Sequence, residues 1–136
     1  MLKCIAIDDE PLALRQITGY ISKIPYLELS ATFNNAIDAQ QRLTEEPADL
    51  IFADINMPDL NGVDFVRALP DRPMVIFTTA YSEYAVEGFK LDAVDYLLKP
   101  FSFADFSRSA AKANSLYELR QNRRSEPQET ASEATP

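Results

Sequence analysis

Short apolar runs alternate with stretches of helical periodicity along almost the whole chain. Leu2 to Ile7 reads as a strand running straight into the acidic triplet Asp8, Asp9 and Glu10. Pro11 suits the first turn of a helix, where its missing N–H costs nothing. Leu14, Ile17, Ile21 and Ile24 give that helix one apolar face. Leu27 to Phe33 predicts a second strand, and Asn34 or Asn35 a cap for a second helix with Ala36, Ala39 and Leu43 turned inward. Leu50 to Ala53 predicts a third strand that stops at Asp54, and the turn-rich stretch Asn56 to Gly62 leads into a short helix over about Val63 to Leu69. Met74 to Thr78 predicts the fourth strand, about Ser82 to Lys90 the fourth helix, and Val94 to Leu98 the fifth strand. Ser102, with Asp105 three residues on, has the form of a capping box opening a last helix that carries Phe103, Phe106, Ala110 and Ala113 at spacings of three and four.

The third, fourth and fifth strands are continuous apolar runs rather than alternating ones. Such runs belong to strands covered by helices on both faces, and hence to a parallel sheet. Five strands alternating with five helices predict a doubly wound α/β domain, for which the flavodoxin-like order 2-1-3-4-5 is expected. From about Gln121 the chain turns polar and rich in Glu, Ser, Thr and Pro. Residues 1–120 are therefore expected to form the domain, and 121–136 a disordered tail or the start of a linker.

Composition narrows the chemistry more than the fold. With 136 residues, 46% of them hydrophobic, the chain has the makings of one globular domain. Its net charge of -8 has the wrong sign for a nucleic-acid surface, and its one basic run, Arg120 to Arg124, lies near the tail. The absence of histidine excludes histidine bases, histidine zinc ligands and Ser-His-Asp triads within the chain. No apolar run approaches the roughly 20 residues of a membrane span, and Met1 to Ile7 lacks a signal-peptide pattern. A cytoplasmic protein with no membrane contact is expected, its lone Cys4 a buried free thiol.

In a doubly wound sheet, ligands bind beyond the carboxyl ends of the strands. There the first strand delivers Asp8 and Asp9, the third Asp54, the fourth Thr78 and Thr79, and the fifth Lys99. Carboxylates at one locus repel each other and call for a cation, and all-oxygen ligation suits Mg2+. A carboxylate beside such a metal can act as a nucleophile toward phosphorus, while a lysine and a hydroxyl stabilise the transferred oxygens.

Ile5-Ala-Ile-Asp-Asp-Glu-Pro11, Ile51-Phe-Ala-Asp-Ile-Asn-Met-Pro-Asp-Leu-Asn-Gly62, Val75-Ile-Phe-Thr-Thr-Ala80 and Asp95-Tyr-Leu-Leu-Lys-Pro-Phe101 together resemble the four signatures of response-regulator receiver (CheY-like) domains. The resemblance implies that Asp54 accepts a phosphoryl group from a sensor histidine kinase. It implies that Asp9, Asp54 and the backbone carbonyl of Asn56 ligate Mg2+, with Asp8 acting through water. Lys99 and Thr79 would contact the phosphate, Thr79 and Tyr96 would form the switch pair, and Asn56 and Tyr81 would tune dephosphorylation. A cis Lys99–Pro100 peptide and a homodimer through the fourth helix, fifth strand and last helix also follow from it. Thr79-Ala-Tyr-Ser-Glu-Tyr-Ala85 and Asp95 to Phe101 look most like receivers of the LytTR class, in which a DNA-binding domain of mostly β structure follows. No such domain is present in this sequence, so the chain looks like an isolated or truncated receiver.

Taken singly, these residues have plainer readings. Asp8 and Asp9 could cap the first helix, Asp54 could end a strand in a turn, and Thr78 and Thr79 could be ordinary β-formers. Lys99 could be a solvated lysine and Tyr96 a core aromatic. The rivals from other classes are a Mg2+-dependent phosphatase of haloacid-dehalogenase type and a stand-alone adaptor. The phosphatase family typically has a second Asp two residues after its nucleophile, where this chain has Asn56. A flavodoxin is disfavoured by the acidic loop after the first strand, which repels phosphate.

Overall fold

The computed structural model describes residues 1–55, 62–69, 73–80 and 93–125. Five parallel strands form one sheet: β1 (Leu2–Ile7), β2 (Leu27–Phe33), β3 (Leu50–Asp54), β4 (Met74–Thr79) and β5 (Asp95–Leu98), in the order β2-β1-β3-β4-β5. The described helices are α1 (Pro11–Ser22), α2 (Ala36–Glu45), α3 (Gly62–Arg67) and α4 (Phe103–Ser125). The helix expected over Ser82 to Lys90 lies outside the described residues, as do Asn56 and Tyr81.

Strand side chains alternate between the two faces of a sheet, and here both faces are apolar. One face collects Leu2, Cys4, Ala6, Leu50, Phe52, Met74, Ile76 and Leu97 against Ile17 and Ile21 of α1 and Phe106, Ala110 and Ala113 of α4. The opposite face collects Ile5, Ile7, Ile51, Ala53, Val75 and Phe77 against Ala36, Ala39 and Leu43 of α2, Phe65 of α3 and Leu69. The continuous apolar runs of β3 and β4 follow directly, since both strands are buried at every position. Phe52 and Phe106, both fully buried, stack across the first interface with centroids 4.8 Å apart.

Helix starts follow local chemistry. Asn35 caps α2, its side chain accepting from the Asp38 N–H at 2.8 Å. Ser102 and Asp105 form the expected reciprocal box at α4, with the Asp105 N–H donating to Ser102 Oγ at 3.1 Å and the Ser102 N–H to Asp105 Oδ2 at 3.4 Å. Pro11 opens α1, and its N-cap Glu10 makes no side-chain cap bond. Helix α4 runs on to Ser125, past the Gln121 at which the sequence turns polar. Gln and Arg are good helix formers even where no apolar face remains. No helix among the described residues is long and apolar enough to cross a membrane.

Cys4 is fully buried in the middle of β1, and loss of solvation pushes its thiol up to about 12. The ordinary thiol value is about 8.5, so the fold favours the neutral form. That contribution to stability is whole below pH about 8.5 and is lost as pH rises toward the folded value. Unfolding free energy of the wild type is therefore expected to fall more steeply between about pH 8.5 and 12 than that of Cys4→Ala. Denaturant melts across that range check it, the difference between the two proteins isolating the thiol.

Candidate functional site at the carboxyl ends of the strands

Three strand ends meet at one point. Asp8 follows β1 directly, its N–H extending the ladder to Phe33 O at 3.1 Å, and its side chain is fully buried. Asp54 is the last residue of β3 and is only 6% exposed. Lys99 follows β5, its N–H donating to Thr79 O at 2.7 Å, and the Lys99–Pro100 peptide is cis. This anchoring aims the lysine across the sheet ends. Its Nζ donates to Asp8 Oδ2 at 2.9 Å, to Asp54 Oδ2 at 3.1 Å and to Glu10 Oε1 at 3.4 Å.

Burial by itself draws the Lys99 ammonium's pKa down. The hydrogen bond to Asp8 and the charges of Asp54 and Asp8 outweigh it and hold the group above its ordinary value. Lys99 thus stays protonated at neutral pH. Oxygens of Asp8, Glu10 and Asp54 all lie within 4.8 Å of one another. Three carboxylates against one ammonium leave the locus negative, and the donor set is hard oxygen throughout, which fits Mg2+.

Of the residues singled out by sequence, Asp8, Asp54 and Lys99 are brought into direct contact. Thr79 ends β4, buried, with its carbonyl bonded to the Lys99 N–H. Its neighbour Thr78 pairs with Asp54 across the β3–β4 ladder, and its buried Oγ1 has no hydrogen-bond partner among the described residues. Tyr96 is half-buried, its ring 5.5 Å from that of Phe77, and burial raises its hydroxyl pKa above the ordinary value. Asp9 is exposed and lies outside the group of converging carboxylates.

Glu10 was given no role by sequence reasoning. The only signal was its place in the acidic triplet, since the strand's period of two ends with β1 at Ile7. Glu10 keeps extended backbone angles (φ -94, ψ 117) as the N-cap of α1, past the end of β1. The Glu10 N–H also donates to Asp8 Oδ1 at 2.9 Å, tying the two residues together.

Comparison with known proteins agrees with this geometry. The family model of the response regulator receiver domain matches residues 4–111. A response regulatory protein of Shewanella oneidensis is 37% identical over 111 residues, covering 80% of this chain and 47% of its own length. The transcriptional regulatory protein YpdB of Escherichia coli K12 is 32% identical over 123 residues, covering 88% of this chain and 50% of its own. This chain thus spans about half the length of these relatives. The crystal structure of the response regulatory domain of MrkE from Klebsiella pneumoniae superposes with a TM-score of 0.79 at 32% identity, covering 87% of this chain and 99% of that one.

A cation that binds the folded site alone stabilises it by mass action. Mg2+ at about 100 times its dissociation constant is expected to raise the unfolding free energy by about 2.7 kcal/mol. Asp8→Asn combined with Asp54→Asn should abolish most of that gain, and NaCl of equal ionic strength should not reproduce it. Denaturant titrations at several Mg2+ concentrations provide the check.

Proposed function

The chain belongs to the response regulator receiver domain family, and from that premise we propose that it is a phosphorylation switch with Asp54 as acceptor. The observation that carries this reading is the Asp54 carboxylate, buried at a strand end and held 3.1 Å from the Lys99 ammonium beside Asp8 and Glu10. A carboxylate oxygen of Asp54 attacks the phosphorus of a kinase phosphohistidine. The O–P bond forms as the P–N bond breaks, and the imidazole leaves with the electron pair and takes a proton from solvent. Lys99 meets the charge gathering on the transferred oxygens, and the Thr79 hydroxyl donates to another. Mg2+, held by Asp54, Asp9 and the Asn56 carbonyl with Asp8 acting through water, would add positive charge to the same oxygens.

Phosphorylation adds about 1.5 to 2 negative charges at pH 7 and three acceptor oxygens. These draw Thr79 and Lys99 inward, and Tyr96 follows into the space that Thr79 leaves. The surface built from β5, α4 and the segment 82–90 is thereby biased between two states. A homodimer through that surface and control of a DNA-binding domain of the LytTR class are the output we propose. The greater length of the relatives leaves room for such a domain, and the name of the Escherichia coli protein, a transcriptional regulatory protein, supports an output in transcription. The partner is a sensor histidine kinase, the compartment the cytoplasm, and the chain performs no turnover beyond self-phosphotransfer and autodephosphorylation, tuned at Asn56 and Tyr81.

The test is intact-mass measurement after incubation with acetyl phosphate and Mg2+. One phosphoryl group is expected on the wild type, and none on Asp54→Asn or with EDTA present. Sustained turnover of a small phosphate ester would instead favour a phosphatase. No mass gain with Mg2+ shown to bind would favour an adaptor working through protein contacts alone.

A further inference from the structure

A lysine ammonium has three N–H donors, and among the described residues Lys99 Nζ is met by three carboxylates, those of Asp8, Asp54 and Glu10. A phosphoryl group arriving at Asp54 needs a donor from the same ammonium. One of the existing contacts must therefore yield. Asp8 is fully buried and Asp54 nearly so, while Glu10 is 69% exposed and makes the longest contact, at 3.4 Å. A solvated carboxylate gives up a long bond at little cost, whereas a buried one stripped of its partner keeps the whole desolvation penalty. Glu10 also places a negative charge beside the acceptor, where it opposes an anionic phosphodonor.

We propose that Glu10 is a gating residue of the phosphorylation site, holding Lys99 in the resting protein and slowing phosphoryl transfer to Asp54 until it lets go. The inference rests on the reading of Asp54 as phosphoacceptor. Glu10 acts through its bond to Lys99 and through its charge on the donor's approach, without touching the transferred group, so it is a positioning residue. The backbone bond from its N–H to Asp8 Oδ1 needs no side chain, so neutralising the side chain leaves that tie in place.

The experiment follows the rate of phosphorylation by acetyl phosphate at saturating Mg2+, read by intact mass, for wild type, Glu10→Gln, Glu10→Ala and the distant control Glu45→Gln. In each transfer the acyl-phosphate P–O bond of the donor breaks as the Asp54 O–P bond forms, with acetate leaving. Both Glu10 variants are expected to react roughly threefold faster or more, as expected for one charge removed from beside an anion's path. The excess should shrink as salt is raised through the screening range, and Glu45→Gln should match the wild type. A merely structural Glu10 predicts equal or slower transfer in both variants, which overturns the proposal. Slower transfer with weakened Mg2+ binding also overturns it and makes Glu10 a cation-holding residue. A wild type that takes no phosphoryl group at all overturns the Asp54 reading itself, an outcome distinct from either.

Discussion

Carboxylates gather in a buried place only when a cation meets them, and beyond the ends of β1 and β3 the Lys99 ammonium meets three. The rest of the molecule serves that meeting. A parallel sheet directs all its carboxyl ends one way, so residues far apart in the chain arrive at one edge. The order β2-β1-β3-β4-β5 sets the strands bearing Asp8 and Asp54 side by side at its centre. Lys99 reaches them across β4 from the outer strand, which a long lysine stem permits and a shorter side chain would not.

Precision at that edge comes from packing on both faces. The loop carrying Lys99 is fixed at one end by its N–H on Thr79 O. Beyond it, the buried Phe101 lies 6.2 Å from the Tyr20 ring and 6.4 Å from Phe106, and its carbonyl accepts from Gln16 Nε2 at 3.4 Å. Helix α1 thus holds the lysine loop as well as starting next to Asp8. A close-packed interior of this kind moves between discrete arrangements rather than deforming smoothly. In the proposed switch, a local change of charge at Asp54 becomes a change of surface at β5 and α4.

Much of this was legible in the residues. Period-two and period-3.6 patterns predicted the strands and helices that the described residues contain, and continuous apolar runs announced a sheet covered on both faces. Asp8, Asp54, Thr79 and Lys99 stood at strand ends, where an α/β sheet presents its ligands, so their nearness followed from topology. Glu10 did not follow. Its participation depends on backbone angles after the last strand residue, which no motif encodes, and on a lysine contact spanning most of the chain. The continuation of α4 to Ser125 was likewise hidden, because a run of Gln, Asn, Arg and Ser has the composition of a linker.

If Lys99 and Asp54 act as one electrostatic unit, a double-mutant cycle reveals their coupling. Unfolding free energies of the wild type, Lys99→Met, Asp54→Asn and the double variant would be measured without divalent cations at low ionic strength. Neighbours in one ion-pair network couple by roughly 0.5–3 kcal/mol, and a coupling in the upper part of that range is the predicted result. Additivity within about 0.5 kcal/mol would mean that the two groups stand independently and that no such unit exists.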